Sequence, residues 1–343
     1  MKQGSKFAAR GIARGSALLA AAFAASVAAA SSASAQIVMK FGTQTQNDVQ
    51  HEYMKLFKTK LEAASGKRIR VDLFPASQLG PFPRQLEGLR LGNIEALTGP
   101  FEFYVGIDRR FQTTAMAGLF DNNEHMRKVA DNPKFRKIMQ DIGDSKGVNV
   151  AAFIVYDMQY FGFKQPANSL ADFKGRRVRV LASEAEQAAV QSLGAASIPM
   201  ALPEVLPALQ QGTIDGVTSG LTIFTSLRYY DAAPHLVETK LWGILTGVLV
   251  SKVWLARQPK DLQKIILDTA KGIEAENHAW NVKNLENARG VWTKNKGTFS
   301  KLSAAEQADA QKRTIDATLK VLAKYPPVKA TYDQIKAVAA ETK

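Results

Sequence analysis

The stretch Leu209–Ser219, LQQGTIDGVTS, has a counterpart at Leu89–Gly99, LRLGNIEALTG. Both follow one pattern, Leu-x-x-Gly-x-Ile-acid-small-aliphatic-Thr-small, and the glycines Gly92 and Gly212 lie 120 residues apart. Each copy reads as a helix end, a glycine that stops the helix, a short buried strand and a loop of small residues. A unit used twice predicts a chain of two similar halves.

The elements upstream of each copy agree. Before the first come a strand at Ile37–Phe41, the polar loop GTQTQND, and a helix at about Val49–Ala64 capped by Asp48 and stopped at Gly66. A strand (Arg68–Phe74) and a helix (Arg84–Leu91) complete the series. Before the second come the strand Gly175–Ala182, a helix capped by Ser183 and stopped at Gly194, the short strand SIPM, and the helix PEVLPALQQG. This alternation is the βαβ signature of mostly parallel sheets, so the fold class is α/β with two lobes. Ligands of such sheets bind beyond the carboxyl ends of the strands, which makes the loops after Leu97 and Val217 the expected walls of a cleft.

Past the second copy, Trp242–Ser251 reads as a strand returning to the first lobe, and Pro259–Lys294 as one long amphipathic helical stretch. Ser303-Ala-Ala-Glu306 is a capping box that opens a further helix to about Lys324, where Pro326 and Pro327 are expected to break it.

Residues 1–35 read as a cleavable export signal: Lys2, Lys6, Arg10 and Arg14, then an alanine-rich apolar run, then Ala33-Ser34-Ala35. That places the mature chain, from about Gln36, in the periplasm. The 343 residues carry a net charge of +14, of which the signal holds four with no acid, leaving +10. Basic residues are scattered among acids and show no aromatic-basic RNA motif, so no nucleic-acid partner is expected. Cysteine is absent, which excludes thiolate chemistry and cysteine metal sites.

A search for catalysis finds little. His51, His125, His235 and His278 sit in unrelated segments without metal-ligand spacing. GDSKG at Gly143–Gly147 matches a serine-hydrolase elbow in letters but joins a helix to a strand, the reverse of what an elbow does. No phosphate-binding or dinucleotide fingerprint occurs, so neither a cofactor nor an enzymatic activity is expected. What remains is recognition. In GRRVRVLAS, Val178 and Val180 share one face and Arg177, Arg179 and Leu181 the other. A guanidinium at Arg179 suits a carboxylate held by two parallel charge-assisted hydrogen bonds, and an exposed salt-bridging row satisfies the same alternation.

Taken together, DFKGRRVRV, SLGAASIPMALPEVLPALQQGTIDGV, VDLFPASQLG and QPKDLQKII resemble the periplasmic solute-binding proteins of tripartite ATP-independent (TRAP) transporters, in order and register from about Ile37 to Gly290. The resemblance implies a type II periplasmic-binding-protein fold with hinge strands and a long helix spanning both lobes. It implies residues 36–156 with about 246–285 as the first lobe, and 157–245 with about 286–343 as the second. It further implies a monomer that closes on a small organic acid and delivers it to an ion-gradient-driven TRAP permease, with Arg179 as the carboxylate clamp. The alternatives are the binding component of an ATP-driven importer and an exported hydrolase. Two departures from the family pattern bear on the ligand: Gln159 stands where many relatives have a second arginine, and Ser219 where many have an amide. Fewer charges favour a monocarboxylate with an apolar or aromatic body. The remaining candidate contacts are Phe101, Tyr104, Tyr160, Leu202 and Trp242.

Overall fold

A computed structural model describes residues 36–181 and 183–343; the expected export segment lies outside the described residues, as does Ala182. The first sheet has the strand order β2-β1-β3-β10-β4, built from β1 (Ile37–Thr43), β2 (Ile69–Phe74), β3 (Ala96–Pro100), β4 (Val148–Met158) and β10 (Gly243–Ser251). The second has the order β11-β9-β5-β8-β6-β7, from β5 (Tyr160–Phe163), β6 (Arg177–Val180), β7 (Ala196–Pro199), β8 (Gly216–Ser219), β9 (His235–Val237) and β11 (Thr298–Ser300). Helices α1 (Val49–Ala64), α2 (Phe82–Leu91), α3 (Asn123–Asp131) and α4 (Pro133–Asp144) accompany the first sheet, and α5 (Glu184–Ser192) and α6 (Leu202–Gln211) the second. Each sheet has its own core: Leu97, Phe101, Phe111, Phe135 and Leu249 in one, Phe161, Phe173, Val178, Val180 and Trp242 in the other.

The two copies of the repeat adopt one geometry. Gly92 and Gly212 each take a left-handed conformation, φ 79° and φ 72°, as the residue ending α2 and α6. The next two amides then turn back onto one helix carbonyl: Asn93 and Ile94 onto Gly88, Thr213 and Ile214 onto Ala208. The acids match as well. Glu95 accepts the backbone N–H of Lys40 on β1, and Asp215 that of Arg177 on β6, so each repeat acid ties its own strand to the parallel neighbour. A Cβ at Gly212 meets only the Lys164 Nζ, at 3.6 Å, so a substitution there is opposed by backbone strain alone. Gly212→Ala is expected to cost about 1–2 kcal/mol in chemical denaturation, and Gly212→Asn less, since asparagine tolerates the left-handed region.

Three segments pass between the sheets. β4 runs directly into β5; the chain from β9 crosses back into β10; and α10 (Glu274–Lys294) follows α9 (Lys260–Gly272) after the single residue Ile273. The first two crossings are tied at Gln159, whose N–H donates to the Trp242 carbonyl and whose carbonyl accepts from the Lys240 N–H. α10 packs on α1 and β4 on one side and on α7 (Leu221–Ser226) on the other. It is stitched to the edge strand β4 by polar groups: Asn281 Nδ2 donates to the carbonyls of Val155 and Tyr156, and Glu274 Oε1 accepts the Phe153 N–H. These contacts cover backbone groups that an edge strand otherwise leaves open.

The helix opened by the Ser303 capping box ends at Ala323 with Lys324 as its C-cap, as expected, and Pro326 and Pro327 then open a further helix, α12 (Pro326–Glu341), because the first turn needs no N–H from them. That helix lays Val328, Tyr332, Ile335 and Val338 into the first core, against α3 and α4, so the expected place of residues 286–343 on the second lobe does not hold for its last element. α11 (Ala304–Ala323) does pack on α5 of the second lobe.

Candidate ligand-binding cleft

The carboxyl ends of β3, β6 and β8 converge on a cleft of about 410 Å³, counting the open solvent at its mouth, lined from both sheets and both crossing strands. The first lobe supplies Gln44, Thr45, Gln50, Gly99, Pro100 and Phe103; the second supplies Arg179, Leu181, Leu202, Ser219 and Ile223; Tyr156 and Ile244 come from the strands that join them. On β6 the alternation separates the faces as read: Val178 and Val180 are buried in the core, and Arg179 and Leu181 line the cleft. The two arginines of the row differ. Arg177 is the exposed ion pair, its Nη2 lying 2.7 Å from Asp215 Oδ1, and Arg179 is the buried one.

Arg179 is 1% exposed. Its Nε donates to the Met200 carbonyl at 3.0 Å, and among the described residues its Nη2 has no partner and no carboxylate stands within 4.0 Å. Burial lowers its pKa from the usual arginine value, opposed by Tyr229 and Glu186 through space. A guanidinium taken out of water without a direct counter-charge is costly unless something else neutralises it. Arg179 is also the only charged side chain among the described cleft-lining residues.

Behind it, Glu186 on α5 accepts from Thr218 Oγ1 (2.6 Å), the Leu181 N–H (2.8 Å) and Gln159 Nε2 (3.2 Å). On the opposite wall, the Tyr156 hydroxyl donates to Asp48 Oδ2 at 2.9 Å and accepts from Thr222 Oγ1 at 3.1 Å. Gln50 Nε2 donates to Thr45 Oγ1. The lining side chains of the far wall are thus uncharged and hydrogen-bonded, with the Asp48 carboxyl behind Tyr156, and the space between is bounded by aliphatic and aromatic carbon.

Of the residues singled out from the sequence, the structure brings Arg179, Ser219 and Leu202 together in the cleft. Gln159 lies beside them, buried at the crossing strands and bonded to Glu186. The aromatic candidates go elsewhere. Phe101 stacks on Phe111 in the first core, where Tyr104 donates its hydroxyl to the Gly247 carbonyl. Trp242 packs edge-on against Phe161 in the second core. Tyr160 lines a separate groove with Arg289 and Lys240 behind the crossing strands. The aromatic facing the cleft from this turn is Phe103, because the six residues Phe101–Gly106 form a 3₁₀ turn whose phase an α-helical or strand reading does not give. Gln44 and Thr45 are signalled only by the polar loop after β1, and Gln50 lies in the first turn of α1; Tyr156, Ile223 and Ile244 carry no sequence signal, since they sit in runs that read as core. Among the described residues no group of histidine or acidic side chains is arranged to hold a metal ion.

A profile of the bacterial extracellular solute-binding proteins, family 7, matches residues 41–324. A solute-binding protein of Verminephrobacter eiseniae is 27% identical over 245 residues, covering 70% of this chain and 72% of the relative. The 2,3-diketo-L-gulonate-binding periplasmic protein YiaO of Escherichia coli is 27% identical over 252 residues, covering 72% and 75%. Among solved structures, a TRAP periplasmic solute binding protein from Desulfovibrio salexigens with bound orotic acid has the same fold, with a TM-score of 0.82 at 21% identity over 88% of this chain and 99% of that one. The chain belongs to the bacterial extracellular solute-binding proteins of family 7, the family of the TRAP solute-binding proteins that its motifs resemble.

Proposed function

We propose that this protein captures a monocarboxylate with an apolar body between two closing lobes and presents it to a TRAP permease. The moving bodies are the two sheets with their helices, residues 36–156 with about 246–285 and 157–245 with about 286–325, and α12 travels with the first. The observation that carries the reading is the buried Arg179 with its unpartnered Nη2. It faces a cleft whose other lining groups are neutral, so one anionic group completes the site and a second has no cation to meet. The carbon walls are Phe103, Leu181, Leu202, Ile223 and Ile244. A second pocket, lined by Leu206, Pro207 and Leu227, shares Gln44 and Leu202 with the cleft, which suits a ligand whose body leads away from its carboxylate. That a relative binds 2,3-diketo-L-gulonate and a structural neighbour holds orotic acid supports an organic acid as the ligand. An export signal at residues 1–35 and a periplasmic location complete the proposal. So does a monomeric receptor that closes on a ligand touching both lobes, since only differential affinity for the closed form drives closure.

The test is thermal unfolding of the mature protein, refolded to remove any co-purified ligand, against aliphatic, aromatic and dicarboxylic acids. A monocarboxylate at a hundred times its Kd is expected to add about 2.7 kcal/mol. A response to dicarboxylates alone overturns the monoanion, and no response to any acid overturns the carboxylate.

A further inference from the structure

β4 carries a bulge near its end. Val155 pairs with Leu245 and Asp157 with Ile244, which leaves Tyr156 as an extra residue and lets both Tyr156 and Asp157 reach the start of α7. The Thr222 hydroxyl donates to the Tyr156 hydroxyl at 3.1 Å, and the Leu221 N–H donates to Asp157 Oδ2 at 3.0 Å. Beside these bonds Gly220 packs so closely that a Cβ on it would fall 2.9 Å from Tyr156 Cδ1 and Cε1 and 3.1 Å from Asp157 Cβ. Its φ of −80° is open to any residue, so space alone calls for glycine here. Tyr156, Asp157 and Thr222 are all buried. The two β4 residues are braced from the first body: Tyr156 by Asp48 at the cap of α1, 2.9 Å away, and Asp157 by Asn123 of α3, 3.1 Å away.

We infer that the seating of Gly220–Thr222 on Tyr156 and Asp157 is a contact the two bodies make as they close, and that Tyr156 is the positioning residue through which it sets how long a bound ligand stays. The inference rests on the reading that the two sheets close on an organic acid. β4 is paired into the first sheet as far as Met158, whereas Gly220 directly follows β8 of the second, so these contacts join one body to the other. The same segment meets the ligand space. Ser219 and Ile223, the residues on either side of Gly220–Thr222, line the cleft, and so does Tyr156. A ligand held against Ser219 and Ile223 therefore favours the position in which the three residues between them are seated. A contact made only in the closed form slows opening and leaves the first encounter untouched.

Two measurements separate closure from folding. The first is thermal unfolding of the empty Gly220→Ala protein, whose new methyl overlaps the Tyr156 ring. A closure contact is relieved by opening, so its Tm is expected within about 1 °C of the parent's. Overpacking of a contact present in every form lowers Tm by roughly 3 °C or more. The second is stopped-flow binding of benzoate and 4-methylpentanoate. Thr222→Val, whose side chain lies outside the cleft lining, is expected to raise koff about three- to tenfold with kon unchanged within about twofold. Gly220→Ala is expected to raise koff more than about tenfold. Tyr156→Phe and Thr222→Val together are expected to lose less than the sum of the two, since both remove the same bond. An empty Gly220→Ala protein that is destabilised or unfolded, an unchanged koff in Thr222→Val, or losses that fall on kon overturn the closure contact and leave the receptor reading standing. If neither acid binds the parent, the carboxylate reading falls, and unfolding of the empty Gly220→Ala protein decides the seating by itself.

Discussion

Arg179→Met is expected to weaken binding of any carboxylate ligand by about 2–5 kcal/mol, or thirtyfold to several thousandfold in Kd, without lowering the stability of the empty protein. The loss follows from geometry. Nε is already committed to Met200, so the guanidinium is held by one end with its Nη2 turned out of any internal bond, ready for an acceptor that the protein does not supply. Methionine keeps most of the stem volume and removes the charge. The empty protein also sheds a buried cation that lacks a direct counter-ion, a change that is neutral or stabilising in comparable interiors. Arg179→Lys is expected to fall between the two, because an ammonium supplies charge without the planar fork. Titration calorimetry with the best acid of the panel decides the matter, with unfolding of the empty variants as the control. A variant that binds as tightly as the parent removes Arg179 from the site.

The second large effect concerns stability. Arg136 on α4 and Glu274 at the start of α10 form a two-pronged pair, Nη1–Oε2 2.9 Å and Nη2–Oε1 3.0 Å, with side chains only 9% and 13% exposed. Glu274 Oε1 also accepts the Phe153 N–H, and the Arg136 guanidinium lies 4.7 Å over the Phe153 ring. Burial raises the Glu274 pKa even against Arg136, so desolvation consumes what the ion pair gains. Removing one half is a different matter. Arg136→Met leaves a buried carboxylate with a single donor and is expected to cost about 3–5 kcal/mol at neutral pH. In that variant the folded-state pKa of Glu274 rises further above its unfolded value, so the deficit is greatest at high pH and shrinks as acid protonates the carboxyl. The double change Arg136→Met with Glu274→Gln keeps an acceptor for Phe153 and no charge, and is expected to recover most of the loss. Denaturant unfolding across pH reads all three chains. A single-variant cost under about 1 kcal/mol contradicts the assignment, since a stranded buried charge is never that mild.

Much of the architecture was legible because its signals are local. A glycine after a helical run, an N-cap aspartate at Asp48 and the capping box at Ser303 act within four residues, so the chain that contains them carries the information. The stretch expected as one long amphipathic helix is two helices, α9 and α10. Its buried face contains Asn277 and Asn281, polar residues buried because they bond to the backbone of α1 and β4, and only those partners make burial favourable. The aromatic candidates failed for a related reason. Phe101 and Phe103 are two residues apart in one turn, and which of them meets the core and which the cleft depends on the turn's pitch.

The sequence by itself therefore determined the duplicated α/β unit, the strand that carries Arg179 and the face on which it lies, because periods of two and 3.6 and glycine stops are properties of the local backbone. Only the tertiary structure decided what that face meets. It left the guanidinium without a counter-ion and sent α12 back to the first core. Those are facts of which distant surfaces come together, and desolvation, which fixes the charge of each group, is set by that assembly and not by any stretch of chain.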